Sequence, residues 1–389
     1  MIYLLRRLAK SDMQINSKRN FEDMIQLTDN NYFLIMLIAF PITILFLVWN
    51  NIRAGGRGKV KPLKNIYNVD ETTTLKGICA IIIMLHHFSN KILYNQFSFI
   101  YSFYVKAGYL AVAVFLFISG YCLMYQFNKK GTDYLKHFLP KRLIRLYIPF
   151  FVCTIFVDII RRKTFVEWLW DVLTFNSIIE IDGTYNATWF MLAIIYFSLS
   201  FFIVCKLASG LKKIIVGSWL SGATWIILCS FIGVGSWWYN TAFTFALGMT
   251  ICAFREKIYD YVKSYIYTIM LLTTTIFILG YAITVIFTSY IIVQTINGIA
   301  IALLSWMICY IFTLKSNFYK WVGKFSLELF LIHSAILETF YSLNIKKDGW
   351  TILPVVGMCI LMGYVLHMLS SKIIQLVEKG VQYEKKSSN

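Results

Sequence analysis

The sequence predicts an all-α polytopic membrane protein, built of ten core transmembrane helices with one extra N-terminal hydrophobic helix ahead of them. Three observations predict it. Of the 389 residues, 58% are hydrophobic and 14% charged, whereas about a quarter of the residues of an ordinary soluble domain are charged. The mean hydropathy is +0.65, and the apolar residues gather into successive runs on the scale of a bilayer core. Lysine and arginine alternate between the segments joining those runs, as loops on opposite sides of a membrane require.

The chain begins with a polar tail, residues 1–31, followed by the extra hydrophobic helix over residues 32–49, which Pro41 would bend. A Gly-rich basic linker, residues 50–73, leads to the membrane domain, residues 74–372, and residues 373–389 form a cytoplasmic tail. Within that domain the ten runs lie near 77–94, 107–127, 146–160, 187–205, 212–232, 237–253, 264–286, 290–314, 325–343 and 351–371. No soluble domain fits between them. The longest gap, Arg161 to Asn186, carries Trp168 and Trp170, residues typical of a membrane interface.

With the linker placed inside, the inner segments hold 25 Lys and Arg and the outer ones 7. This split predicts a multi-pass protein of the plasma (inner) membrane with both ends of the core cytoplasmic. The five basic residues of the first 31 would then lie outside if the 32–49 run spans. Either that run dips without crossing, or the tail is tolerated outside, or translation starts later, at Met13 or Met24. No cleavable signal is expected, because MIYLLRRLAK lacks an apolar core and a small-residue cleavage site. The net charge of +18 points to loops beside anionic lipid and to a possible anionic ligand rather than to nucleic acid. The eight cysteines fall in apolar stretches without metal-ligand spacing, so they read as small span residues, and no metal or disulfide framework is expected.

The chemistry concentrates in Thr74–Phe88, TLKGICAIIIMLHHF. An ionisable group within a span is costly and usually faces a cavity or a partner. Lys76 and His87 are eleven residues apart, which on a helix is about three turns, roughly 16 Å of rise and an offset of only about 20°. They share one face with Ala80 and Ile83, and His86 points about 100° away. A lysine alone can be a snorkelling helix end, and a histidine alone an interhelical hydrogen-bond partner. Together on one face they suit a cation that holds an anionic donor below an imidazole that takes a proton from a hydroxyl.

Four further segments add to this. The loop from Lys129 ends in KRLIRLYIPF, with Lys141, Arg142 and Arg145 placed for phosphate oxygens, although a positive-inside anchor has the same composition. In FLFISGYCL, Ser119 and Gly120 interrupt an aromatic span and allow close helix packing. TWFMLAIIYFSL begins at Thr188 and includes Trp189. GKFSLELFLIHS brings Ser326, Glu328 and His333 into or beside a span; Glu328 and His333, five apart, are poorly aligned for pairing, so the Glu328 carboxylate needs another partner. Trp237, Trp238 and Tyr239 suit either stacking on a sugar or an aromatic belt.

Taken in order, these segments resemble acyltransferase family 3, the integral membrane O-acyltransferases, over most of the chain from about Val69 to Ser370. The family's basic residue, ten residues, then histidine matches Lys76 and His87. Its Ser-Gly-aromatic segment matches Ser119, Gly120 and Tyr121, and its Arg-x-x-Arg loop Arg142 and Arg145. Its Trp-Phe-Leu-like span start matches Trp189, Phe190 and Met191, and its late Ser-Leu-Glu…His segment Ser326, Leu327, Glu328 and His333. The resemblance implies ten core helices, acyl-CoA as cytoplasmic donor, with acetyl-CoA the first candidate, and an acceptor that is often a cell-envelope saccharide, free or lipid-linked. On this reading catalysis is expected of His87, Lys76 and Glu328, donor binding of Arg142, Arg145, Lys76 and Lys141, and substrate contact of Trp189 and Ser119. Lysine stands at 76 where many members carry arginine, which keeps the charge and loses the planar fork. No appended extracytoplasmic hydrolase-like domain is seen, so the chain is expected to complete the transfer itself or to pass the acyl group to a separate protein. Two alternatives stand beside this reading. A transporter or flippase of a lipid-linked saccharide would share the spans and the basic face, but no internal repeat supports it. A membrane-bound O-acyltransferase of a different fold would place its buried histidine in another context.

Overall fold

The computed structural model describes residues 60–91, 99–174, 188–286, 290–342 and 352–387. The tail 1–31, the 32–49 helix and the linker up to residue 59 lie outside the described residues, as do Asp182 and the loop lysines 346 and 347. Among the described residues the chain is helical, with no strand.

The first described segment is tied by hydrogen bonds to residues far along the chain. The backbone N–H of Lys61 donates to the Tyr310 carbonyl (2.9 Å), and the Tyr259 hydroxyl donates to the Lys61 carbonyl (3.0 Å). Tyr67 takes a left-handed backbone, φ 56°, a conformation costing an aromatic residue about 1–3 kcal/mol. Burial of its ring edge-on against Phe117 and Tyr121 offsets that cost. Helix α1 (Val69–Lys91) then starts in a reciprocal cap: the Glu71 N–H donates to Asn68 Oδ1 (3.1 Å), while Glu71 Oε2 accepts from the backbone N–H of Tyr67 (2.7 Å) and of Asn68 (3.4 Å). Lys61 pairs with the same buried carboxylate. This cap places the helix start at Val69, so Lys76 lies in its third turn.

After α1 come α2 (Phe99–Lys130), α3 (Phe138–Ile160), a short α4 (Phe165–Thr174), α5 (Thr188–Leu207), α6 (Leu211–Ile232), α7 (Ala242–Ala253), α8 (Arg255–Ile286), α9 (Ile291–Ile311), α10 (Asn317–Lys324), α11 (Ser326–Ser342) and α12 (Ile352–Ser387). A helix is present over each of the ten predicted runs. Among the described residues, six helical stretches are long and apolar enough to cross a membrane: Tyr104–Ile160, which holds most of α2 and all of α3, then Trp189–Leu207, Leu211–Ile232, Arg255–Thr284, Ile291–Ile311 and Leu353–Lys379. Three helices over predicted runs fall outside these six. α7 has 12 residues, about 18 Å, and α11 has 17, about 26 Å, against a core of about 30 Å. α1 is 23 residues long but carries Asp70, Glu71, Lys76 and Lys91 along with its two histidines.

The interior is organised by two close helix crossings. Where α1 meets α10, a Cβ on Gly77 would lie 1.9 Å from the Tyr319 carbonyl oxygen, and one on Gly323 would lie 1.9 Å from that of Thr73. Where α2 meets α7, Gly120 and Gly248 face each other's helices in the same way, 2.1 Å from the Phe245 oxygen and 2.2 Å from the Phe117 oxygen. Small residues permit this approach where no aqueous hydrophobic effect drives helices together. Gly323→Ala should cost about 3 kcal/mol or more, because the obstacle is backbone that cannot step aside. Gly357→Ala on α12, with nothing within 4 Å of the new carbon, should leave stability unchanged or slightly raised. Thermal unfolding in detergent with equal losses for both variants would refute the close-approach explanation.

Around this centre, α9 packs on α2 and α8, α6 on α7, and α11 against α1, α3 and α12. α8 is two helices joined at Tyr265, whose backbone (φ −124°, ψ 20°) is not helical. The break separates a charged start from an apolar continuation whose Leu271, Leu272, Ile276, Ile278, Leu279 and Ile283 are exposed. Where the charge pattern places an outer loop, two of its three basic residues are matched by acids. Arg161 pairs with Glu338 (2.8 Å), and Lys163 pairs with Asp171 and approaches Asp158 (3.9 Å). All eight cysteines are free, and Cys122 alone is exposed.

Candidate active site

The face of α1 that carries Lys76 and His87 holds Ala80 and Ile83 between them, both buried. Different neighbours gather at its two ends. At the Lys76 end, Arg142 of α3 reaches inward, its Nη2 donating to Ser119 Oγ of α2 (3.2 Å) and its Nε to Ser198 Oγ of α5 (3.2 Å). Ser198 is free to accept because its own hydroxyl proton goes to the Ile194 carbonyl (2.7 Å). Both partners are neutral, and Arg142 makes no ion pair with a carboxylate among the described residues. Lys76 and Arg142 lie within electrostatic reach of one another and of Cys122. Two half-buried cations that share one region, with no carboxylate paired to either among the described residues, form a place for an external anion.

Arg145, one turn on from Arg142, takes a different direction. It is exposed and grips Glu378 of α12 through Nη2 (2.9 Å) and Nε (3.1 Å). Lys141 is exposed as well. The structure therefore separates the predicted basic group into one inward arginine and outward charges. Ser119, expected at substrate, is one of the two serines whose hydroxyls accept from Arg142.

At the His87 end there is a cavity of about 50 Å³, lined by His86, His87, Tyr109, Trp189, Trp237 and Phe330, with Ile83, Gly108 and Val112 behind them. That is room for more than one water molecule. Trp189 is where the sequence placed a substrate contact, and Trp237, 43% exposed, forms part of the wall. Trp238 turns away and is buried, its carbonyl accepting from Trp225 Nε1 (2.9 Å).

The three histidines near the cavity are not equivalent. His86 packs on α2, as its 100° rotation predicts, yet also borders the cavity. Its Nδ1 lies 3.0 Å from the Tyr104 carbonyl, which requires the proton on Nδ1, and Asn90 Nδ2 donates to its Nε2 (3.1 Å). A Cβ on Gly108 would sit 2.5 Å from the His86 ring, so only glycine lets that ring lie flat there. His333 of α11, buried, lies with its ring centroid 4.8 Å from that of His87, the planes tilted by 35°. Its Nδ1–H donates to the Leu329 carbonyl (3.1 Å), and its Nε2 lies 3.4 Å from the Ser334 hydroxyl. The contact between His87 and His333 joins two elements 246 residues apart in number, and no spacing rule reveals it.

Glu328 finds its partner elsewhere. Its Oε1 accepts from His367 Nδ1 of α12 (2.9 Å), and the other nitrogen of that ring lies 3.5 Å from Ser371 Oγ. Five residues of helix rotate by about 140°, which turns Glu328 toward α12 while His333 meets α1. Sequence reasoning missed His367. The signal was available as a lone histidine within an apolar run, since a buried acid needs a donor from some other span.

A family model described as an acyltransferase domain matches residues 69–367, most of the chain. No curated protein and no solved structure matches the chain. Among the described residues, no three His, Cys, Asp or Glu side chains are grouped to hold a metal ion.

Proposed function

Because the chain belongs to acyltransferase family 3, we propose that it is a membrane O-acyltransferase of the plasma membrane that moves an acyl group, acetyl first, from cytoplasmic acyl-CoA to a hydroxyl of a cell-envelope or lipid-linked saccharide. The observation that carries this reading is the single face of α1, with the cations Lys76 and Arg142 at one end, neither ion-paired among the described residues, and a histidine-lined cavity about 16 Å further along. Phosphate oxygens of the donor take Arg142 and Lys76, and the extended pantetheine arm follows the face toward His87. Trp189 and Trp237 offer flat apolar surfaces to a sugar ring.

In the chemical step the acceptor O–H gives its proton to a His87 ring nitrogen as its oxygen attacks the thioester carbonyl. The tetrahedral intermediate collapses, the C–S bond breaks, and the CoA thiolate takes the proton back from His87, so the residue ends as it began. The cavity wall limits water that would compete for the acyl group. In this reading the ten helices over the predicted runs form the membrane domain, with the Lys76 end and the C-terminus of the core cytoplasmic, as the 25 to 7 charge split supports.

The test is direct. Purified full-length protein given labelled acetyl-CoA should release CoA thiol only when a saccharide acceptor is added, with label appearing in the saccharide. Thiol release that ignores the acceptor would make it a thioesterase. Absence of release with every envelope saccharide tried would remove the reading.

A further inference from the structure

Three primary amide side chains lie buried close to the cavity without lining it: Asn240, Gln294 and Asn297, exposed by 3%, 7% and 0%. Amides within spans are costly unless partnered, and helix packing alone does not call for three. Gln294 and Asn297 are three apart on α9 and so share one face. Each hydrogen-bonds toward an element that carries a cavity wall.

Asn297 Nδ2 donates to the Tyr109 hydroxyl of α2 (3.3 Å), and the Tyr109 ring lines the cavity. The Gln294 Oε1 accepts from Asn240 Nδ2 (3.0 Å). Asn240 closes the turn that bears Trp237, its backbone N–H donating to the Ser236 carbonyl (2.9 Å). Asn297 is closely packed on its other side. A Cβ on Gly280 of α8 would fall 2.2 Å from Asn297 Oδ1, so that glycine makes room for the Asn297 amide. No residue of α9 is among those lining the cavity.

We propose that Gln294 and Asn297 are positioning residues that hold two walls of the His87 cavity, Tyr109 and Trp237, and thereby set which acceptor reaches His87. They act through those aromatics and not on the substrate. The consequence for acceptor choice rests on the acyl-transfer reading; the holding of the walls does not.

The experiment uses the full chain in detergent as wild type, Asn297→Leu, Tyr109→Phe, the double variant and Gln294→Met, with only the folded, monodisperse fraction compared. Diethyl pyrocarbonate acylates exposed neutral imidazoles, and peptide mass spectrometry separates His87 from the exposed surface residue His137. His87 should be modified about three- to ten-fold faster in each single variant, with His137 unchanged. The double variant should be no faster than the faster of its singles, because Tyr109→Phe breaks a link that Asn297→Leu already breaks together with the Asn297–Thr284 bond. With acetyl-CoA and methyl α-glucopyranoside as probe acceptor, the acceptor KM of Asn297→Leu and of Gln294→Met should rise several-fold while kcat and acetyl-CoA affinity hold. An unchanged His87 rate, multiplicative effects in the double variant, equal acceleration of His137, or a fall in kcat at constant KM would each overturn the proposal. If wild-type protein transfers nothing to the glucoside, use of that acceptor is what fails, and the modification rates decide the positioning role by themselves. If Asn297→Leu does not fold, Tyr109→Phe and Gln294→Met carry the same comparison.

Discussion

His87→Ala is expected to lower turnover by roughly 10²–10⁴-fold with donor binding retained, the loss that removal of a general base produces. His86→Ala should lose activity only in step with loss of folded protein, because its Nδ1–H is committed to the Tyr104 carbonyl and its Nε2 to Asn90. Asn or Gln at position 87 should not rescue, since an amide keeps hydrogen bonding but cannot accept a proton near neutral pH. The comparison needs turnover per folded molecule, with acetyl-CoA binding followed in parallel. Full activity in His87→Ala would remove the proposed base, and a reversed ranking of the two histidines would move it to His86.

Arg142→Ala should weaken acyl-CoA binding by about 10- to 100-fold, the equivalent of roughly 1.5–3 kcal/mol for charge-assisted hydrogen bonds. Arg142→Lys should recover only part of this, because an ammonium cannot reach Ser119 and Ser198 with one planar fork and still present an edge to phosphate. Arg145→Ala should change donor affinity less than three-fold, since its exposed side chain is engaged with Glu378 and such pairs contribute at most about 1 kcal/mol. Equilibrium binding of labelled acetyl-CoA to the three variants makes the measurement. Equal losses from Arg142 and Arg145 would restore the two-arginine clamp that the sequence suggests, and no loss from either would move the donor site away from α3.

What the amino-acid sequence determined by itself is the part of the molecule governed by local rules. Apolar runs imply helices because a lipid-facing backbone must satisfy its own hydrogen bonds, and a helix is present over each of the ten runs. Periodicity alone put Lys76 and His87 on one face, and the two ends of that face do meet different surroundings. Motif order was enough to indicate the family, which the match over residues 69–367 shows. Only the tertiary structure decided the contacts between helices. It turned Arg142 inward and Arg145 outward although both lie on one stretch of α3, and it gave Glu328 to His367 and His87 to His333. Helix rotation and partner choice depend on which grooves admit close approach, as at Gly77–Gly323 and Gly120–Gly248. That fit depends on side chains from segments far apart in the chain, and periodicity within one segment cannot report it.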